Sequence, residues 1–320
     1  MKTLLLILVL VPMISVGQNV NIPDAIFKAY LVGEPLINTN GDSEIQISEA
    51  SAFTGGVYCD GLGISDLTGI EAFTALTILW CEMNPLTFLD VSNNTNLTTL
   101  NCSFNQLTSL DVSSNIALEK LYCFNNQLIS LDVSSNTFLT ELYCGDNQLT
   151  SLDVSNNLFL GVFYCNNNQI TSLDLSNNTI LTELYCMFNQ LTSLDVSSNI
   201  ALTELSCPYN QLECLNVKNV NPSAITYFNT INNPNLTCIE VDNMNYSAVN
   251  WTNIDPQTSF STDCNNDCSG SAGIGELNNT PKQLIKIVDV LGRETPFKPN
   301  TPLLYIYNDG TVERKMIIKE

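Results

Sequence analysis

Along most of the chain, apolar positions recur in one short pattern broken by polar residues and turn formers. In LTELYCGDNQLTSLDVSNN, residues 139–157, the apolar set is Leu139, Leu142, Cys144, Leu149, Leu152 and Val154. The segment L-Y-C alternates with a period of two, which predicts a short strand with one face buried. Asn, Gly, Asp and Ser follow it and predict a turn. The pattern returns every 21 residues, carried by Cys81, Cys102, Cys123, Cys144, Cys165, Cys186 and Cys207 without a slip, and Cys59 precedes them by 22. Three residues after each regular cysteine stands an asparagine: Asn84, Asn105, Asn126, Asn147, Asn168, Asn189 and Asn210.

One such unit buries too few side chains to order its own backbone, so the units must stack. Each turn of the coil lays a strand about 4.8 Å from the last. The asparagines then form a column at the bend, where their amides can satisfy turn backbone groups. The unit reads L-x-x-L-x-C-x-x-N-x-L-x-x-L-D-V-S-x-N. It resembles the leucine-rich repeat, in the short cysteine-containing form of exported proteins from Bacteroidetes-type bacteria, over about residues 55–245. The resemblance implies an α/β solenoid, mostly β, with a short helical N-terminal cap over 18–54. A C-terminal cap over 246–268 is carried by the segment NLTCIEVDNMNYSAVNWTNIDPQTSFSTDC.

The cysteines of the column are expected to be buried thiols. Their side chains share one direction in register, so neighbouring β-carbons stay near 5 Å rather than the ~3.8 Å of a disulfide. Metal ligation or pairing within the column is the alternative. Cys214, Cys238, Cys264 and Cys268 fall outside the rhythm, and four cysteines allow three pairings. A Cys238–Cys264 bond is favoured because it ties the cap to the last strand. Cys214 with Cys238, at equivalent positions of adjacent units, is the other candidate.

The ends add an address. MKTLLLILVLVPMISVGQ has a basic Lys2, an apolar run and small residues near Gly17, which predicts a signal peptide over 1–17. No later apolar run is long enough for a membrane helix. CSGSAGIGELNNTP reads as a linker, taken as 269–282. Residues 283–320 read as a small all-β domain, with NDG at 308–310 as a hairpin turn. VDVLGRE (288–294) and YIYNDGTVERKMIIK (305–319) resemble the carboxyl-terminal sorting domain of the type IX secretion system. That resemblance implies a secretion-machinery partner and an extracellular or cell-surface location.

Charge and composition narrow the function. There are 32 acidic residues, 11 basic residues and no histidine, for a net charge of −21. That balance argues against nucleic acid and anionic membranes, and it removes the commonest general base. Asp90, Asp111, Asp132, Asp153, Asp174 and Asp195 form a repeating acidic column, each with serine two positions on. Hydrogen bonds from serine hydroxyls and turn amides are expected to hold it. Identical copies do not supply the two differing carboxylates of a glycosidase.

In the N-terminal cap, NTNGDSEIQISE resembles the EF-hand calcium loop. Asn38, Asn40, Asp42, the carbonyl of Glu44 and the bidentate Glu49 stand at the ligand positions. Asn38 replaces the usual aspartate and Ser43 the turn glycine, so an Asx-rich turn that binds no Ca2+ is the alternative. A helix over IPDAIFKAYLV precedes the loop.

The residues before the column cysteines face outward on the expected concave sheet: Tyr58, Trp80, Asn101, Tyr122, Tyr143, Tyr164, Tyr185 and Ser206. Flanking columns add Glu82, Phe124, Met187, Phe188, Tyr209, Glu141, Glu183 and Glu204. Exposed aromatics beside acids can stack on flat faces and accept hydrogen bonds. Trp80, Tyr122, Tyr143, Tyr164 and Tyr185 are the expected contacts for a protein or glycan ligand. Cross-strand packing that only stabilises the sheet is the alternative. No catalytic set stands out, which points to a non-enzymatic binding or adhesion protein. A self-associating structural surface protein is the second possibility.

Overall fold

A computed structural model describes residues 17–265, Cys268 and three strands near the C-terminus; residues 1–16 of the signal segment, the whole linker 269–282 and the NDG turn lie outside the described residues. The chain divides into two compact units, Met1–Gly270 and Ser271–Glu320.

The first unit is a parallel β-solenoid. Nine three-residue strands form one long sheet: Gly56–Tyr58, Ile78–Trp80, Thr99–Asn101, Lys120–Tyr122, Glu141–Tyr143, Val162–Tyr164, Glu183–Tyr185, Glu204–Ser206 and Tyr227–Asn229. Pairing is in phase throughout, so that Leu121 faces Leu142 and Tyr122 faces Tyr143. Toward the C-terminal end a second parallel sheet forms from Ser193–Asp195, Cys214–Asn216, Cys238–Glu240 and Ser259–Ser261.

The core follows the repeat. Leu139, Leu142, Cys144, Leu149, Leu152 and Val154 are all buried, and the same positions are buried in the neighbouring turns. Cys59 and the seven regular cysteines are buried free thiols. Burial pushes Cys59, Cys102 and Cys144 up to about 12, because a thiolate there would lose its water.

Two asparagine columns hold the turns. In the first, Asn168 Nδ2 donates to the carbonyls of Cys144 and Cys165, and Oδ1 accepts from Leu149 N at 2.9 Å. The second column, Asn94, Asn115, Asn136, Asn157, Asn178 and Asn199, is fully buried. Asn157 Nδ2 donates to Val133 O and Asn136 O, while its Oδ1 has no protein partner. Just before each asparagine of the first column the backbone turns left-handed. Met83, Phe104, Asn125, Asp146, Asn167, Phe188 and Tyr209 all have φ between 51° and 55°.

Caps close both ends. Helix α1 (Ala25–Gly33) buries Phe27 and Leu31. Its N-cap Asp24 accepts from Ile26 N and Phe27 N through Oδ1, and from the amide and hydroxyl of Ser65 through Oδ2. That carboxylate therefore joins the cap to the first turn of the coil. Helix α2 (Ile47–Ala52) follows. At the other end, α3 (Met244–Asn250) leads into Trp251, which stacks on Phe228 at 4.4 Å. Two disulfides hold this cap, Cys238–Cys264 and Cys214–Cys268, with Cα separations of 5.9 and 5.3 Å.

The second unit contains a three-stranded antiparallel sheet of Leu284–Val288, Leu303–Tyr307 and Val312–Lys315.

Candidate binding face

Each strand of the long sheet turns its middle residue into the core and its first and third residues outward. Two parallel columns result. The third positions run Tyr58, Trp80, Asn101, Tyr122, Tyr143, Tyr164, Tyr185, Ser206 and Asn229. The first positions include Lys120, Glu141, Val162, Glu183, Glu204 and Tyr227. The sequence-predicted stripe is thus one contiguous feature between Tyr122 and Tyr185. Asn101 separates it from Tyr58 and Trp80, and Ser206 ends it; both are buried. Asn101 Nδ2 donates to Glu82 at 2.7 Å.

The tyrosine rings pack on one another. Centroid separations are 5.0 Å for Tyr122–Tyr143, 4.5 Å for Tyr143–Tyr164 and 4.4 Å for Tyr164–Tyr185. Three of the four hydroxyls reach diagonally to the next turn's first position. Tyr122 donates to Glu141, Tyr164 to Glu183 and Tyr185 to Glu204, at 2.5, 2.7 and 2.5 Å. At Tyr143 the corresponding position is Val162, and its hydroxyl has no hydrogen-bond partner among the described residues. Burial and the neighbouring carboxylates push Tyr122, Tyr164 and Tyr185 well above the ordinary tyrosine value. The hydroxyls therefore stay protonated and act as donors.

A second aromatic group lies on the left-handed column. Phe188 and Tyr209 stack at 4.2 Å and are both exposed. Phe104 meets Phe124 at 4.8 Å. Bulky side chains are disfavoured at positive φ, so Phe104, Phe188 and Tyr209 stand where the backbone alone would choose Asn or Gly. An exposed apolar row on the return turns escaped sequence reasoning. Ile116 and Ile200 stand one residue after the buried asparagine of their turn and Phe138, Phe159 and Ile180 two residues after it, so that five successive turns each expose an apolar side chain.

The calcium-loop residues come together and satisfy one another. Glu49 Oε1 accepts from Thr39 N, Thr39 Oγ1 and Asn40 N, and its Oε2 accepts from Gln46 N. Asp42 Oδ2 accepts from Asn40 Nδ2 and Gln46 Nε2, and Asp42 Oδ1 accepts from Glu44 N. Asn38 Nδ2 donates to the carbonyls of Val32 and Asp42. Glu44 turns its side chain to Lys28 at 2.7 Å. Amide donors hold the carboxylate oxygens that a cation would need, so this donor set does not fit a resident Ca2+ as it stands. Among the described residues no group of three or more His, Cys, Asp or Glu side chains is set to hold a metal ion. Burial opposes ionisation of Glu49, but its many hydrogen bonds win and hold the carboxyl below the usual range.

The acidic column is also held from within. Asp90, Asp111, Asp132, Asp153, Asp174 and Asp195 each accept from the amide of the serine two residues on.

No family model matches this chain, and no curated protein matches it by sequence. Its structural neighbours include bacterial leucine-rich repeat proteins. The functional domain of InlJ from Listeria monocytogenes, which includes a cysteine ladder, is 36% identical over 70% of this chain and 52% of that one, with a TM-score of 0.62. This chain therefore spans about half the length of that neighbour. The internalin InlF of the same species is 19% identical over 78% of this chain and 80% of its own, with a TM-score of 0.57. YopM, an effector of Yersinia pestis, is 22% identical over 70% of this chain and 57% of its own, with a TM-score of 0.50. The last two show the fold alone. The fold is the leucine-rich repeat solenoid.

Proposed function

We propose that this chain is an exported, non-catalytic binding protein that holds a protein or glycan ligand on the outer face of its long sheet. The tyrosine ladder from Tyr122 to Tyr185 carries the reading. Four adjoining half-buried rings with carboxylates alongside make a flat amphipathic surface of the kind that dominates recognition. Export is supported by the two disulfides, which persist in oxidising compartments. Among the described residues no helix is long and apolar enough to cross a membrane. The tail sheet is read as the address for a type IX-like secretion machinery.

The test is a glycan and protein array probed with the purified chain. Tyr143→Ala and Tyr164→Ala should each weaken a hit by about 1–3 kcal/mol, the range of a hot-spot residue. Melting temperatures are compared alongside, because the rings also pack on each other. A variant that loses stability but keeps its binding would assign the ladder to the fold. The exposed row from Ile116 to Ile200 favours self-association as the second reading; light scattering at rising concentration decides it.

A further inference from the structure

We propose that the adjoining pairs Tyr164–Glu183 and Tyr185–Glu204 take an arginine side chain from a basic segment of a partner protein. The proposal rests on the binding reading above and narrows it to one partner chemistry.

The chain contains its own template for this contact. At Glu141, one carboxylate oxygen accepts from the Tyr122 hydroxyl and the other from Lys120 Nζ at 2.6 Å. The cation comes from the register partner one turn earlier, since Lys120 faces Glu141 across the sheet. At the next tyrosine–glutamate pair the equivalent partner of Glu183 is Val162, and at the one after it the partner of Glu204 is Glu183 itself. Neither carboxylate receives a cation. Among the described residues the ion pairs are Lys28–Glu44, Lys120–Glu141 and Lys218–Glu240. The Oε2 atoms of Glu183 and Glu204 are each held by a tyrosine hydroxyl, and no described donor reaches either Oε1.

Two like charges directly opposite one another on neighbouring strands destabilise a sheet. Glu183 and Glu204 stand that way, about 4.8 Å apart at the backbone. The tyrosine hydroxyls account for one oxygen of each carboxylate, but they do not require two adjacent charges, because Val162 shows that the same column accepts an apolar residue. A cation from outside removes the repulsion. The planar fork of a guanidinium can give one N–H edge to each carboxylate, which a lysine ammonium does less well. Tyr227, which is exposed and stacks on Tyr185 at 6.1 Å, offers a ring for cation–π contact beside the carboxylates. The net charge of −21 draws a basic segment in and makes its capture salt-dependent.

The probe is a short fluorescein-labelled Gly-Ser-Arg repeat peptide, titrated by anisotropy onto the full chain at low ionic strength. Glu183→Gln with Glu204→Gln keeps an acceptor for each tyrosine hydroxyl and removes the charge. This double variant should weaken the peptide by about tenfold or more, the scale of losing charge-assisted hydrogen bonds. Glu34→Gln with Glu213→Gln removes the same charge from exposed positions off the face and should change binding by less than about twofold. Replacing arginine by neutral citrulline in the peptide should abolish binding. The melting temperature of the first double variant should hold or rise, since a repulsion is relieved. Equal weakening by both double variants, citrulline binding as well as arginine, or a fall in that melting temperature would each overturn the proposal. Array hits that need Tyr143 and Tyr164 but not Glu183 and Glu204 would leave the binding face standing and remove only the arginine. Hits indifferent to both sets would remove both.

Discussion

The two asparagine columns look alike in sequence but should respond differently to truncation. Asn168→Ala removes three donated hydrogen bonds and one accepted bond. The carbonyls of Cys144 and Cys165 keep a second donor each, Asn147 Nδ2 and Asn189 Nδ2. Leu149 N–H has no other partner and is left bare in the interior. An orphaned buried donor costs about 1–3 kcal/mol and each of the three lost donated bonds a further ~0.5–1.5, so the total is about 3–7 kcal/mol. Asn157→Ala also removes two donated bonds, but Val133 O and Asn136 O retain the backbone donors Asn136 N and Leu139 N. No N–H is orphaned, and a buried Oδ1 without a protein partner disappears. Its cost should be about 1–2 kcal/mol. Urea denaturation followed by circular dichroism measures both. Equal costs, or a larger one for Asn157→Ala, would refute the reasoning. Asn168→Asp adds a sign test. A carboxylate there faces three carbonyl oxygens, which favours its neutral form in the fold, so this variant should lose stability as pH rises above the unfolded aspartate value of about 3.9.

Glu49 gives the opposite pH dependence. Its folded value is depressed, so its contribution is complete above the ordinary glutamate value of about 4.3 and fades as pH falls below it. Acid should therefore loosen the N-terminal cap first, seen as early amide exchange in α1 and α2. Millimolar calcium should leave the melting temperature unchanged against a chelator. A rise that Glu49→Gln abolishes would restore the calcium site. Alkylation without reduction should spare the eight column thiols in the folded chain and modify all eight after unfolding; intact pairs among them would refute the buried-thiol assignment. Deleting residues 273–320 should trap the protein inside the cell envelope, whereas normal export of the truncation would end the sorting role.

The fold was legible because stacking repeats the same local constraint many times. A single L-x-x-L-x-C segment is ambiguous, but seven copies in register leave one way to bury Leu142, Cys144 and Val154 together. Legibility fell where a residue's role depends on the turn beside it. The pattern gives Asn157 and Asn168 the same letter, and only the turn geometry separates a donor-only role from one that also caps an N–H. The left-handed position had a signal in Asn125, Asp146 and Asn167, residue types enriched at positive φ. Phe104, Phe188 and Tyr209 at the same position masked it.

The same logic separates fold from function on the sheet face. Whatever every turn shares can be explained by stacking, since stacking is what every turn must do. The cysteine column, the asparagine columns and the aspartate–serine turns fall in that class. A ligand that spans a few turns is read by the positions where the copies differ. On this face those are Asn101 and Ser206, which bound the tyrosine ladder, Lys120, which neutralises one glutamate, and Val162, which leaves the Tyr143 hydroxyl without an acceptor. Lys120 and Val162 change charge or hydrogen bonding on the outer face, and Asn101 and Ser206 close the ladder with small buried polar side chains, while the core residue between the columns stays buried and apolar. The solenoid tolerates such changes cheaply because none of them alters the apolar residue that each strand sends into the core, and for that reason the proposed binding chemistry is sought at these positions.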